Sequence, residues 1–196
     1  MIREVIITSQ SPEGRAHIAP MGVHVVGEEM LIMPFRPSAT LDNLLATRQA
    51  VMNYCDDVRI FAGCLTGRRN WALQAADRIA GQRLTAALAH AELEVVRVED
   101  DAVRPRLFCR VIHEANHAPF HGFNRAQFSV LEAAILVSRL GMLSHSKIAY
   151  ELEYLRIGLE KTAGPAEREA WDWLMERVDA FLAQSSVDGG TCSPQA

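Results

Sequence analysis

The feature that most constrains this chain is the stretch from Met30 to Tyr54, where two apolar runs flank a polar turn and a short amphipathic segment. Met30 to Pro34 reads as a strand, Phe35-Arg36-Pro37-Ser38 as a turn, Leu41, Leu44 and Leu45 as the apolar side of a short helix, and Ala50 to Tyr54 as another strand. Pro37 cannot continue a ladder, and Ser38 and Thr40 are favourable N-caps, so a helix is predicted to open near Thr40. A helix start leaves backbone N–H groups unpaired and carries partial positive charge, which suits an anion. Arg36 adds a planar fork of donors matched to phosphate oxygens, and Ser38 and Thr40 add hydroxyls. The same residues would equally make a plain capped helix with Arg36 on the surface.

The residues before this stretch read as β structure. Val5-Ile6-Ile7-Thr8 is β-branched, Ser11-Pro12-Glu13-Gly14 signals a turn, and Ala16 to Val26 is a long run interrupted by Pro20 and closed by Gly27-Glu28-Glu29. Three successive strands with short turns predict an antiparallel meander, with Pro20 at a bulge or an edge. Beyond Tyr54, Val58 to Ala62 is predicted as a short strand and Leu84 to Ala91 as a short helix, from its Ala and Leu content. Between them, residues 63–81 are ambiguous, although Trp71 to Ala76 could be helical. Glu92 to Glu99 and Arg106 to His113 alternate as half-buried strands around a turn marked by Asp100, Asp101 and Pro105. Six or seven strands are enough for a small closed barrel.

From Arg125 the period becomes helical. Phe128, Leu131, Ala134, Ile135 and Leu140 form one stripe, and Ile148, Leu152, Leu155 and Leu159 a second. A third helix is predicted from Pro165, carrying Trp171, Leu174, Val178 and Phe181. Stripes of this kind are read as core or dimer contacts. The expected organisation is a barrel over residues 1–122, a helical extension over 123–184 and a disordered Ser/Gly-rich tail over 185–196.

Charge and composition remove several classes. Lys and Arg number 20 against 24 Asp and Glu, a net charge of −4, with no basic block; nucleic acid is therefore not an expected partner. No apolar run reaches the roughly 18 residues of a membrane span, and the N-terminus lacks a charged-then-apolar signal pattern. Cys55, Cys64, Cys109 and Cys192 are scattered with no Cys-x-x-Cys pair, which fits reduced thiols and a cytoplasmic location.

Two strings carry a resemblance. Arg36 to Thr47 reads Arg-x-Ser-x-Thr-x-x-Asn-Leu-x-x-Thr and is followed by Ala50-Val51-Met52-Asn53, while His17-Ile18-Ala19-Pro20-Met21-Gly22-Val23 precedes it. Together they resemble the FMN-binding split barrels of the flavin reductase and flavoredoxin type. More narrowly, the chain resembles an uncharacterised split-barrel family of archaea, planctomycetes and methylotrophic bacteria, in which a helical segment opened by a Gly-Phe-Asn-Arg-Ala string follows the barrel; here that string is Gly122 to Ala126. The resemblance implies an α+β fold, mainly a split β-barrel with a C-terminal helical segment. It implies FMN held by Ala19, Pro20, Met21, Phe35, Arg36, Pro37, Ser38, Thr40, Asn43 and Asn53, at the interface of a homodimer. His121, Phe123, Asn124 and Arg125 would suit the rim of a substrate pocket. The implied function is a flavin-dependent oxidoreductase or flavin reductase acting on a small molecule. Relatives in organisms that use such cofactors associate it with one-carbon or pterin-cofactor metabolism. The alternative is a flavin-binding carrier, sensor or complex subunit without turnover. No residue stands out as a catalytic nucleophile, as expected when the cofactor is the reactive group.

A rival motif is His113-Glu114-Ala115-Asn116-His117, which matches the His-Glu-x-x-His signature of zinc hydrolases. That chemistry needs two imidazoles one helical turn apart, with the glutamate acting on a zinc-bound water. Here the motif follows a strand pattern, and Pro119 and Gly122 interrupt any helix beyond it. A polar strand end with exposed histidines is the expected reading, with no metal site. His113, His117 or His121 could instead lie beside flavin or substrate as neutral proton donors. His24 and His90 have no evident partner.

Overall fold

Alternating strands joined by polar turns carry the first part of the chain into a closed barrel. In the computed structural model, which describes residues 1–188, the strands and helices of this part are β1 (Ile2–Gln10), β2 (Ala16–Val26), β3 (Glu29–Ile32), α1 (Ala39–Thr47), β4 (Gln49–Tyr54), α2 (Val58–Leu65), β5 (Leu73–Ala75), β6 (Gln82–Leu84), β7 (Ala89–Glu99) and β8 (Arg106–Asn116). Around the barrel the order is β1-β2-β3-β8-β7-β4, with β4 returning to β1 and every pairing antiparallel. The predicted meander is thus β1-β2-β3. Pro20 lies opposite Ile6, while β2 meets β3 only from His24 to Val26. The other flank of β2 at Pro20 is therefore an edge, where a residue without an N–H costs no ladder bond.

The barrel core is aliphatic, built from Val5, Ile7, Val23, Ile32, Met52, Leu93 and Leu107 on the inward faces of the strands. Leu41 and Leu44 of α1 join it at 1% and 0% exposure. Each contributes on the order of 1.5–3 kcal/mol by burial, which anchors this nine-residue helix where propensity alone would not. On β4 the face opposite this core carries Asn53, which is fully buried. The Asn53 amide nitrogen donates to the Ile6 carbonyl at 3.0 Å and to the Thr8 hydroxyl at 2.6 Å, and its oxygen accepts from the Leu84 N–H at 2.8 Å. The fully buried amide thus ties β1, β4 and β6 together.

The chain divides into two compact units, Met1–Asp56 with Arg69–His121, and Asp57–Arg68 with residues 122–188. The second unit contains α2, α3 (Arg125–Val137), a 3₁₀ turn at Leu140–Met142, α4 (His145–Thr162) and α5 (Pro165–Asp188). Its core packs Val58 and Ala62 of α2 with Val130, Ile148, Leu152, Trp171 and Leu174. Caps punctuate it throughout. Asp57, Asn124 and Ser144 accept first-turn N–H groups, and Pro165 opens α5 with the Glu167 carboxylate accepting from Gly164 N–H at 2.9 Å. At Gly158 a Cβ would lie 2.6 Å from the Ser129 hydroxyl and 3.2 Å from the Arg125 carbonyl oxygen, so glycine lets α3 and α4 approach closely.

Two expectations are corrected. Val58 to Ala62 is helix, not strand: Asp57 caps it, Arg59 clasps Asp57 through two nitrogens at 2.9 and 2.7 Å, and the run is buried on several sides, where periodicity cannot separate helix from strand. Leu84 to Ala91 is the end of β6, a turn and the start of β7, because the N–H groups of Leu84 and Leu88 are taken by Asn53 and the Tyr54 carbonyl. The helical unit also contains residues 57–68. The tail expected from Ser185 is still α5 as far as Asp188, and the remainder lies outside the described residues.

Replacing Asn53 by Ala leaves the Leu84 N–H and the Thr8 hydroxyl without their buried partner. Urea denaturation of Asn53→Ala is expected to show a loss of roughly 3 kcal/mol, from about 1–3 kcal/mol per unsatisfied group; a loss under about 1 kcal/mol would contradict the network.

Candidate functional site

The turn predicted as an anion site is built as a helix start. After β3 the chain runs through Met33 and Pro34 to a cis Arg36–Pro37 peptide, and Ser38 then caps α1, its extended backbone placing Oγ 3.3 Å from the donating Leu41 N–H. The Asp42 N–H is taken by the Ser38 carbonyl. The Ser38 hydroxyl accepts in the cap, so its own hydrogen is left to donate outward. Thr40 is buried at 3% exposure and shows no side-chain hydrogen bond among the described residues. Arg36 and Phe35 are exposed. The Arg36 guanidinium donates to the exposed Asp100 carboxylate at 2.8 Å, a surface pair that an anion with more charge can displace.

A second arginine stands at the same turn. The loop from Asp100 to Pro105 lies against residues 33–36: Arg36 N–H donates to the Val103 carbonyl at 2.9 Å, and Arg104 donates to the Met33 carbonyl at 3.1 Å while its guanidinium sits 4.5 Å over the Phe35 ring. Asp101 shapes the loop by accepting from the N–H groups of Val103 and Arg104 at 2.8 and 2.7 Å. Sequence reading missed Arg104. Its only signal was an Arg in the turn between two alternating strands, and nothing in the spacing placed that turn against Phe35.

The remaining expected residues divide. Ala19, Pro20 and Met21 lie on β2 opposite Ile7, Ile6 and Val5, half-buried, and α1 packs on both β1 and β2. Asn43 is engaged inside the protein, its amide donating to the Ser9 hydroxyl at 3.0 Å and holding α1 to the end of β1. Asn53 is fully buried on β4, its amide engaged by Ile6, Thr8 and the Leu84 N–H. His121 is the last residue of the barrel unit, whereas Phe123, Asn124 and Arg125 belong to the helical unit. Asn124 is occupied there, its oxygen capping α3 through Ala126 N–H at 2.8 Å and its nitrogen donating to the Thr162 carbonyl at 3.2 Å. Arg125 lines a cleft of about 330 Å³ with Phe128, Tyr154 and Ile157.

The zinc-hydrolase reading fails on geometry. His113 to Asn116 belong to β8, so Glu114 points to the opposite side from its neighbours and the two histidines are not one helical turn apart. The His90 ring lies beside both, 5.9 Å from His113 and 5.0 Å from His117 between ring centres. His90, unassigned from sequence, is fully buried on β7. Its Nδ1 is 2.8 Å from His117 Nε2, and its Nε2 is 3.2 Å from the equally buried Glu92 carboxylate. Burial alone would raise the Glu92 carboxyl, but the His90 ring and the N–H groups of Asp77, Ile79 and Arg78 outweigh it and hold the group below the usual carboxylate range. Burial lowers His117, with Arg83 and His90 adding to the effect and Asp77 opposing it.

Cys109 gives no nucleophile. Burial pushes its thiol up to about 12, and it donates weakly to the Leu107 carbonyl.

A closed six-stranded antiparallel barrel, with a capped helix between its third and fourth barrel strands, defines this chain as a split β-barrel protein carrying an additional helical unit. The family of unknown function DUF447 matches it in two parts, the N-terminal domain over residues 3–118 and the second model over residues 124–176, and the chain belongs to that family. Among solved structures, the FMN-bound DUF447 protein MM1853 of Methanosarcina mazei superposes with a TM-score of 0.77 at 18% identity, over 90% of this chain and 94% of that one. The 2-nitrobenzoate 2-nitroreductase NbaA of Pseudomonas fluorescens matches at 0.52 and 21% identity, over 58% of this chain and 64% of its own. An FMN-binding protein of Thermus thermophilus with bound 1-cyclohex-2-enone matches at 0.50 and 14% identity, over 58% and 69%. No curated protein sequence matches the chain. No helix among the described residues is long and apolar enough to cross a membrane.

Ser38→Ala removes the α1 cap without touching the core. A loss of about 1 kcal/mol in urea denaturation is expected; unchanged stability would contradict the capped start.

Proposed function

We propose that this protein binds FMN, with the phosphate at the start of α1, and that it works as a flavin-dependent oxidoreductase on a small molecule. One observation carries the proposal: the Arg36 guanidinium, the Ser38 hydroxyl and the N-terminal end of α1 lie together on one exposed turn, with the Thr40 side chain in the same first turn. These donors fit a dianionic phosphate, opposed by Asp42 in the first turn and by Asp100 paired with Arg36. The FMN-bound DUF447 protein and the FMN-binding and nitroreductase structures of like fold support the same reading.

On this reading Arg36, Ser38 and Thr40 hold the phosphate, and Arg104 and Phe35 brace the turn from the side of the β7–β8 loop. Asn43 keeps α1 in place through Ser9. Ala19, Pro20 and Met21, on the edge portion of β2, together with Pro37, offer backbone and apolar surface to the flavin. Bound FMN would supply the hydride and electron transfer, while the chain binds, orients and shields it. A homodimer with flavin at its interface belongs to the same proposal. Turnover separates it from a carrier or sensor: an oxidoreductase consumes NADH or NADPH catalytically when an acceptor is present, and a carrier does not.

The test is titration of flavin fluorescence against wild type and variants. Arg36→Ala is expected to weaken FMN by roughly 1.5–3 kcal/mol, the scale of a bond to a charged group, while riboflavin, without a phosphate, binds both proteins alike. Asp100→Asn, which frees Arg36 from its carboxylate, is expected to tighten FMN binding. Equal FMN affinity in wild type and Arg36→Ala would overturn the phosphate assignment.

A further inference from the structure

We propose that Asp77, His90, Glu92 and His113 form a binding site for one divalent transition-metal ion of the zinc type, on the barrel wall. One ligand atom from each of the four lies within 4.8 Å of the others. Nearest neighbours are closer: His90 Nε2 to Glu92 Oε1 is 3.2 Å, His113 Nε2 to Asp77 Oδ2 is 3.2 Å, and His90 Nε2 to Asp77 Oδ2 is 3.7 Å. Four ligands at zinc bond lengths of about 2.0–2.1 Å stand roughly 3.4 Å apart at tetrahedral corners. The spacing found is therefore close to what such an ion needs.

Sheet geometry creates the cluster. His90 and Glu92 are two apart on β7 and share one face, and Glu92 pairs with His113 across the ladder. The register then slips, Leu93 facing Val111, so Ile112 is the extra residue of a bulge immediately beside His113. Bulges re-aim neighbouring side chains, and this one sits where His113 must meet the β7 pair. Asp77 arrives from the segment between β5 and β6. That segment is fastened to the site, because the Glu92 carboxylate accepts from three consecutive N–H groups, those of Asp77, Arg78 and Ile79, at 2.5, 2.9 and 2.8 Å.

The surroundings match what metal ligands require. A ligating imidazole has its other nitrogen held by a partner, and a ligating carboxylate is itself hydrogen-bonded. His90 Nδ1 is held by His117 Nε2 at 2.8 Å, and Glu92 by the three backbone donors. His90 and Glu92 form a buried floor at 0% exposure, while the Asp77 and His113 side chains are 48% and 26% exposed and leave a path to solvent. Two carboxylates complement a dication, and two imidazoles favour zinc-like ions over calcium or magnesium. This set differs from the helical zinc motif: Glu114 is outside it, and His117 positions a ligand without being one.

The test uses the full chain, stripped with a chelator and titrated with Zn²⁺ against a chromophoric competitor. Asp77→Asn and His113→Gln are the variants, since both side chains are partly exposed and circular dichroism can confirm that each still folds; His90→Ala would empty a fully buried position. Wild type is expected to bind about one Zn²⁺ per chain and to melt at higher temperature with it, each variant binding at least tenfold more weakly and losing the thermal shift. No Zn²⁺ uptake by wild type at micromolar concentration, or affinity unchanged in both variants, would overturn the site.

Discussion

The barrel depends on one buried amide. Asn53 sits at 0% exposure where β4 runs beside β1, on the strand face turned away from the barrel core, and bonds to Ile6, Thr8 and the Leu84 N–H leave its buried polar atoms satisfied. A side chain that costs several kcal/mol if mispaired permits one register only. Fixing β4 against β1 also fixes what precedes it. Arg48 closes α1 in the left-handed region, the Thr47 hydroxyl turns back to the Asn43 carbonyl, and the Arg48 carbonyl accepts from Val95 N–H on β7. The position of α1, and with it the donor turn at Arg36 and Ser38, follows from a register set on the barrel wall.

How much of this was legible in the sequence depends on whether the signal was local. Ser38, the leucine spacing and the apolar run from Ala50 define α1 and β4 with no help from the rest of the chain, and the three C-terminal helices carry their own period and caps. Val58 to Leu65 was illegible because an apolar run buried on several sides has no period to read. Leu84 to Ala91 has helix formers, yet its N–H groups are claimed by Asn53 and Tyr54 from another strand, and tertiary pairing overrides propensity.

The site shows the same division. Arg36, Ser38 and Thr40 were readable as donors at a helix start, whereas Asp100 and Arg104 reach the turn from more than sixty residues away in sequence. Asn43 and Asn53 matched a family string, but their amides hold the scaffold that positions the turn. The histidine spacing at 113 and 117 means zinc chemistry only on a helix, and here it lies on β8 and just past its end. What that stretch does contribute, His113 facing Glu92 beside a bulge, depends on a register that no spacing rule expresses.

We propose the turn ahead of α1 as the anion site for the phosphate of FMN. It is tested most directly by a crystal structure of the protein grown with FMN. The phosphate is expected within hydrogen-bonding distance of Ser38 Oγ and the Arg36 guanidinium, with Asp100 released from Arg36. Flavin bound elsewhere, with the Arg36–Asp100 pair intact and the α1 start free of phosphate, would contradict it.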